Sequence, residues 1–134
     1  MSARIVFKGK IAVRRLLAEQ RAAHKVLLRH GGDDVLFEVD PAEQDGDVIS
    51  RLVVQFGFLF HGVVRKLPRP ARNECHERAR KALSENAHNV FATGWALSDD
   101  DLWRPHSWVL RRGVIYEPTP VVRDAYFGLV VNQP

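Results

Sequence analysis

The chain has 134 residues, 46% hydrophobic and 27% charged, which suits one domain with its own core and excludes a repeat array or a multidomain enzyme. Nine glycines and seven prolines exclude collagen-like or low-complexity composition, and the net charge of +4 is compatible with an anionic partner without demanding one. The single cysteine, Cys75, rules out an internal disulfide and a zinc site of several thiolates. The N-terminal residues lack the apolar stretch of a secretory signal, and the longest apolar-rich run, 53–64, is too short to span a bilayer. The expectation is a soluble cytoplasmic protein, in a reducing compartment, with no membrane partner.

Residues 3–7 fit a short strand. From Lys10 to His30 the apolar residues Ile11, Val13, Leu16, Leu17, Ala23, Val26, Leu27 and Leu28 recur near helical spacing, and Gly31-Gly32 ends the run. Arg14, Arg15, Arg21, Lys25 and Arg29 give this amphipathic helix a basic face. Val35 to Val39 predicts a short strand. Between Asp47 and Lys66, the stripe Ile49, Leu52, Val53, Phe56 and Phe60 favours a buried helix, although the β-branched and aromatic density also permits strands. His61, inside this run, reads as a core histidine.

Pro68-Arg69-Pro70 divides the chain. Beyond it, Asn73 is a suitable N-cap for a helix from Glu74 to Asn86, with Cys75, Ala79, Ala82 and Leu83 as its apolar stripe. Asn89 to Leu97 predicts a strand, and Ser98 to Asp101 a turn. His106–Leu110 and Val114–Glu117 predict a hairpin, and Val121–Val131 one or two further strands. The expected architecture is a single α+β domain. An α-rich N-terminal half (1–67, of unassigned role) packs on a small antiparallel β-sheet belonging to residues 71–131.

The chemistry-bearing residues lie in the second half. A cysteine on the first turn of a helix meets unpaired N–H groups and the positive end of the dipole, both of which favour the nucleophilic thiolate. Such a thiolate needs an imidazole partner, for which His106 is a candidate, and the imidazole needs a group to fix its tautomer, for which Glu117 is a candidate. If Arg112-Gly113 is a two-residue turn, Leu110 opposes Ile115, and His106 lies diagonal to Glu117 on one face. If the loop is Arg111-Arg112-Gly113 with a bulge, Glu117 turns to the other face. The sequence permits both. His76, next to Cys75, points to a different helix face and is not expected to be the base.

His106-Ser107-Trp108, then Gly113, then Glu117-Pro118-Thr119 resembles the His-x-Trp … Gly … Asp-Pro-Thr signature of the transglutaminase-like branch of papain-like cysteine enzymes. Cys75 opening a helix and Val90-Phe91-Ala92-Thr93-Gly94-Trp95-Ala96 resemble that family's nucleophile helix and following strand. With Ala125-Tyr126-Phe127-Gly128, the segment also looks like small bacterial and phage proteins of this type. The resemblance places nothing in residues 1–67. It implies a papain/transglutaminase-like core, with Cys75 as nucleophile, His106 as acid and base, and Glu117 as the orienting carboxylate in place of the usual Asp. Asn73 is a candidate oxyanion donor. Trp95 and Trp108, with Trp103, are candidates to line a substrate cleft or to fill the core.

The activity implied is acyl transfer on a protein or peptide substrate through a thioester, by hydrolysis or transamidation, with no metal or organic cofactor. Two other functions compete with it. A non-catalytic binding or regulatory module could keep the same residues. A nucleic-acid binder could use the seven cations among residues 65–81 (Arg65, Lys66, Arg69, Arg72, Arg78, Arg80 and Lys81), set against only Glu74 and Glu77. The same charge could steer an acidic substrate towards Cys75.

Overall fold

The computed structural model describes residues 5–7, 16–39, 47–72, 74–121 and 123–131. In chain order the elements are β1 (Ile5–Phe7), α1 (Ala18–Arg29), β2 (Asp34–Val35), β3 (Phe37–Val39), α2 (Val48–Phe56), β4 (Phe58–Phe60) and β5 (Val64–Lys66). They continue with α3 (Cys75–Ala82), β6 (Val90–Leu97), β7 (Leu102–Arg111), β8 (Val114–Glu117) and β9 (Ala125–Val131). The fold is α+β.

The main sheet runs β4-β9-β6-β7-β8-β5, with β2 paired to the start of β7, and β1 forms a separate pair with β3. Six flat strands would put β4 and β5 about 24 Å apart. Yet only residues 61–63 join Phe60 to Val64, a reach of no more than about 14 Å. The sheet therefore curls until its two edges approach. Two pairings, β2 with β7 and β5 with β8, are parallel, so the sheet is mixed rather than antiparallel. Both parallel strands come from the first 67 residues. That half is not a helical layer laid on a finished sheet; it supplies three of the sheet's strands.

The second correction concerns residues 47–66. The helix stops at Phe56, where the Gly57 N–H closes on the Val53 carbonyl and the backbone turns extended. Phe58-Leu59-Phe60 instead pairs with Tyr126–Gly128 of β9. His61 is exposed, not a core residue. The α3 helix is shorter than its sequence pattern, ending at Ala82, and Glu74 occupies its cap position.

Strand alternation sorts the side chains into two faces. Trp95, Leu97, Trp103 and Phe127 pack against Leu27, Ala23 and Val53 of α1 and α2. Further along the same face, Phe91 and Val109 pack against Ala79 and Ala82 of α3. Inside the curl lie Ala92, Ala96, Trp108, Ile115 and Tyr126. Asp47 ties the two first helices together: it caps α2 through Ser50 N–H at 3.0 Å and accepts from Gln20 of α1 at 3.0 Å.

Gly94 of β6 faces Gly128 of β9 and, on its other side, His106 of β7. A Cβ on Gly94 would lie 2.3 Å from the Phe127 carbonyl oxygen, and one on Gly128 would lie 2.9 Å from the Trp108 ring. The paired glycines leave room for the indole beside His106. We expect Gly94→Ala to cost about 3 kcal/mol or more in urea unfolding, because backbone must shift. Gly113→Ala, whose Cβ meets nothing within 4 Å, should cost about 1–2 kcal/mol for its left-handed backbone alone. Equal costs would mean that the strand contact at Gly94 is not tight.

Candidate active site

The hairpin settles which face Glu117 occupies. Arg112 and Gly113 both have positive φ, 50° and 80°, as a two-residue type I′ turn requires. Leu110 then pairs with Ile115 and Val109 with Tyr116. This register turns Glu117 to the same face as His106.

Glu117 is 1% exposed and His106 2%, and a carboxylate so buried must be fully paired. His106 Nε2 lies 2.8 Å from Oε2 and 3.0 Å from Oε1. Thr119 donates to Oε2 twice, from its backbone N–H at 3.0 Å and its hydroxyl at 2.8 Å. The Tyr126 hydroxyl donates to Oε1 at 2.7 Å, and Arg123 Nε stands 3.7 Å from the same oxygen. The Glu-Pro-Thr motif thus has a mechanical reason: the chain turns at Pro118 and returns two donors from Thr119 to its own carboxylate, as an Asx-turn does with a shorter side chain.

These contacts set the charges. Burial pushes the Glu117 carboxyl up, but the hydrogen bond and charge of His106, with Tyr126 and Thr119, outweigh it and hold the carboxyl below its usual range. Burial pushes His106 down, and the opposing bonds and charges of Cys75 and Glu117 leave it raised. Burial also pushes the Tyr126 hydroxyl up, reinforced by the Glu117 charge, so it stays a donor.

Cys75 is the first residue of α3 and half-buried. Between the pairings with β2 and β8, residues 104–108 of β7 have no strand partner on that side among the described residues. The start of α3 meets the strand there. Burial alone would raise the Cys75 thiol, but hydrogen bonds from His106 and His76 and their charges bring it down to about 5. With Nε2 committed to Glu117, Nδ1 is the His106 nitrogen left for the sulfur. The arrangement can hold a thiolate–imidazolium pair with a carboxylate behind it.

The candidates Cys75, His106 and Glu117 are therefore brought together, while the proposed cleft residues are not cleft residues. Trp108 is fully buried, its ring stacked at 23° and 6.3 Å from the His106 ring; it walls the imidazole from inside the sheet. Trp95 is 3% exposed and donates from Nε1 to the Leu36 carbonyl at 2.9 Å. Both are core, because the curl folds one face inward and α1 and α2 cover the other. Asn73 lies outside the described residues. Thr119, Tyr126 and His76 were not assigned from the sequence. Thr119 and Tyr126 stand within quoted motifs, yet their aim at Glu117 depends on the turn at Pro118 and on the curl that brings β9 round.

The basic run is only partly free. The Arg78 side chain is 6% exposed and bonds Glu85 at 3.0 Å and the Arg69 carbonyl at 3.1 Å, pinning the proline segment to α3. Arg65, Lys66, Arg69, Arg72, Arg80 and Lys81 are exposed. Among the described residues no three His, Cys, Asp or Glu side chains are grouped to hold a metal ion, and no helix is long and apolar enough to cross a membrane. In comparison with known proteins, the chain matches no family model, and no curated protein or solved structure matches it significantly.

Tyr126→Phe removes one donor from the buried carboxylate and should cost about 1.5–3 kcal/mol near neutral pH. Glu117 has a depressed folded pKa, so its stabilisation is present above the unfolded carboxyl value of about 4.5 and lost as pH falls through the folded one. Without the tyrosine hydroxyl that loss begins at higher pH. Acid unfolding followed by tryptophan fluorescence should show the variant's midpoint displaced upward; an unmoved midpoint would mean the bond contributes nothing to the ionised state.

Proposed function

We propose that the chain is a small cysteine-dependent acyl-transfer enzyme of the transglutaminase-like kind its motifs resemble. The observation that carries this reading is the closed pair His106–Glu117, with the remaining ring nitrogen left for the half-buried Cys75. A core histidine needs no fully paired carboxylate behind it, and a structural cysteine in apolar surroundings has a raised pKa, not a lowered one. Cys75, His106 and Glu117 are the nucleophile, the acid and base, and the orienting carboxylate.

In this scheme the Cys75 thiolate attacks the carbonyl carbon of a peptide bond or of a Gln or Asn side-chain amide. The C=O electron pair moves onto oxygen, where the unpaired N–H groups of the first turn of α3, Cys75's own included, can receive it. His106 then gives the proton on Nδ1 to the leaving nitrogen, the C–N bond breaks, and a thioester remains. Water or an amine passes a proton to the now neutral Nδ1 while attacking the thioester, and the C–S bond breaks to restore the thiolate and imidazolium. Glu117 keeps its charge throughout and holds the ring by Nε2. The scheme draws on no metal or organic cofactor. The exposed cations of residues 65–81 would favour an acidic protein or peptide substrate, an attraction that weakens with salt.

Because the chain has one cysteine, each alkylation event reports a single site. The iodoacetamide rate of the native protein should be half-maximal at a pH of about 5 and level off above it. In His106→Ala and in Glu117→Gln the onset should move towards higher pH. A rate that rises only around the free-thiol value of about 8.5, unchanged in His106→Ala, would make Cys75 structural and leave a non-catalytic binding module as the better account.

A further inference from the structure

Cys75 and His76 open α3, and His106 and Ser107 are consecutive on β7. The two dipeptides meet as pairs, Cys75 with His106 and His76 with Ser107. The His76 Nδ1–Ser107 Oγ bond is backed by a second hydroxyl: Ser107 Oγ lies 3.0 Å from Thr93 Oγ1, which reaches the His106 carbonyl at 3.4 Å. Ser107 is fully buried and Thr93 8% exposed. They interrupt a face that is otherwise Phe91, Val109, Trp95 and Trp103. Hydroxyls in such a layer need partners to be tolerated, and here the network ends on an imidazole beside the nucleophile. A half-buried helix histidine that only packed would not require it.

We infer that His76 is a second catalytic histidine, in hydrogen-bond contact with the Cys75 sulfur and oriented by the Ser107–Thr93 hydroxyl pair. This rests on the acyl-transfer reading and deepens it. When Thr93 gives its one proton to Ser107 rather than to the more distant His106 carbonyl, Ser107 donates to Nδ1, and the imidazole carries its proton on Nε2 and can donate to sulfur. As the thiolate attacks, negative charge leaves sulfur for the adjacent carbonyl oxygen, and the same N–H is placed to follow it. The nucleophile thus has two supports: an ion pair with His106 and a hydrogen bond from His76.

The titratable groups acting on the thiol are His106 and His76, so the alkylation profile separates their contributions. In His76→Gln the onset of the plateau should rise by roughly one pH unit, with the plateau still present. Ser107→Ala should give the same rise, and the His76→Gln/Ser107→Ala double variant no more than either alone. His106→Ala should retain an onset below about 8.5, and adding His76→Gln should remove that remainder. A His76→Gln profile superimposable on the native one, or a His106→Ala profile already at the free-thiol value, overturns the inference while leaving the first reading intact. A native profile already at that value overturns both.

Discussion

A carboxylate buried inside a curled sheet must be answered by donors on every side, and Glu117 is. Its neighbours come from four places: His106 on β7, Thr119 in the turn just past β8, Arg123 beyond it and Tyr126 on β9. An unpaired charge there would cost several kcal/mol, which makes the pairing a condition of folding as much as of chemistry. Removing it would leave His106 with no fixed tautomer and would weaken the positive charge that His106 sets beside the thiol. Through His106, the electrostatic state of Cys75 thus depends in part on Glu117.

The first half of the chain belongs to the same argument. Its strands β4 and β5 stand at the two edges of the main sheet, and the short connection between them enforces the curl that brings Tyr126 over Glu117. After β5 the chain follows β8: Leu67 N–H donates to the Glu117 carbonyl at 2.9 Å and Ala71 N–H to the Pro118 carbonyl at 2.9 Å. That path delivers the start of α3 to β7. Trp95 and Trp103 fasten the preceding segment to the sheet through Leu36 and Gly31 carbonyls. Of the two roles the sequence allows these tryptophans, lining a cleft or filling the core, their burial gives the second.

Local signals were legible and non-local ones were not. The hairpin was readable because its turn chemistry lies within a few residues. Its register was not, because Arg-Arg-Gly suits two loops, and only the positive φ at both Arg112 and Gly113 decides between them. Cys75, His106 and Glu117 stood out by residue type and order. Tyr126 and Ser107 did not, since a tyrosine in a strand and a serine beside a histidine gain meaning only from neighbours across the sheet. The helical stripe through Phe60 misled for the same reason: Phe58-Leu59-Phe60 has the composition of a strand, and pairing with β9 overrides the period set by Ile49, Leu52, Val53 and Phe56.

The central claim is that Glu117 keeps His106 as an imidazolium facing a thiolate. Nitrogen-15 spectra of histidine-labelled protein, followed from acid to alkaline pH, test it most directly. The account predicts that both ring nitrogens of His106 carry protons at neutral pH, and that Cys75→Ser, which removes the anionic sulfur, lowers the pH at which one proton is lost. A neutral His106 at that pH, protonated on one nitrogen in the native protein and indifferent to Cys75→Ser, would contradict it.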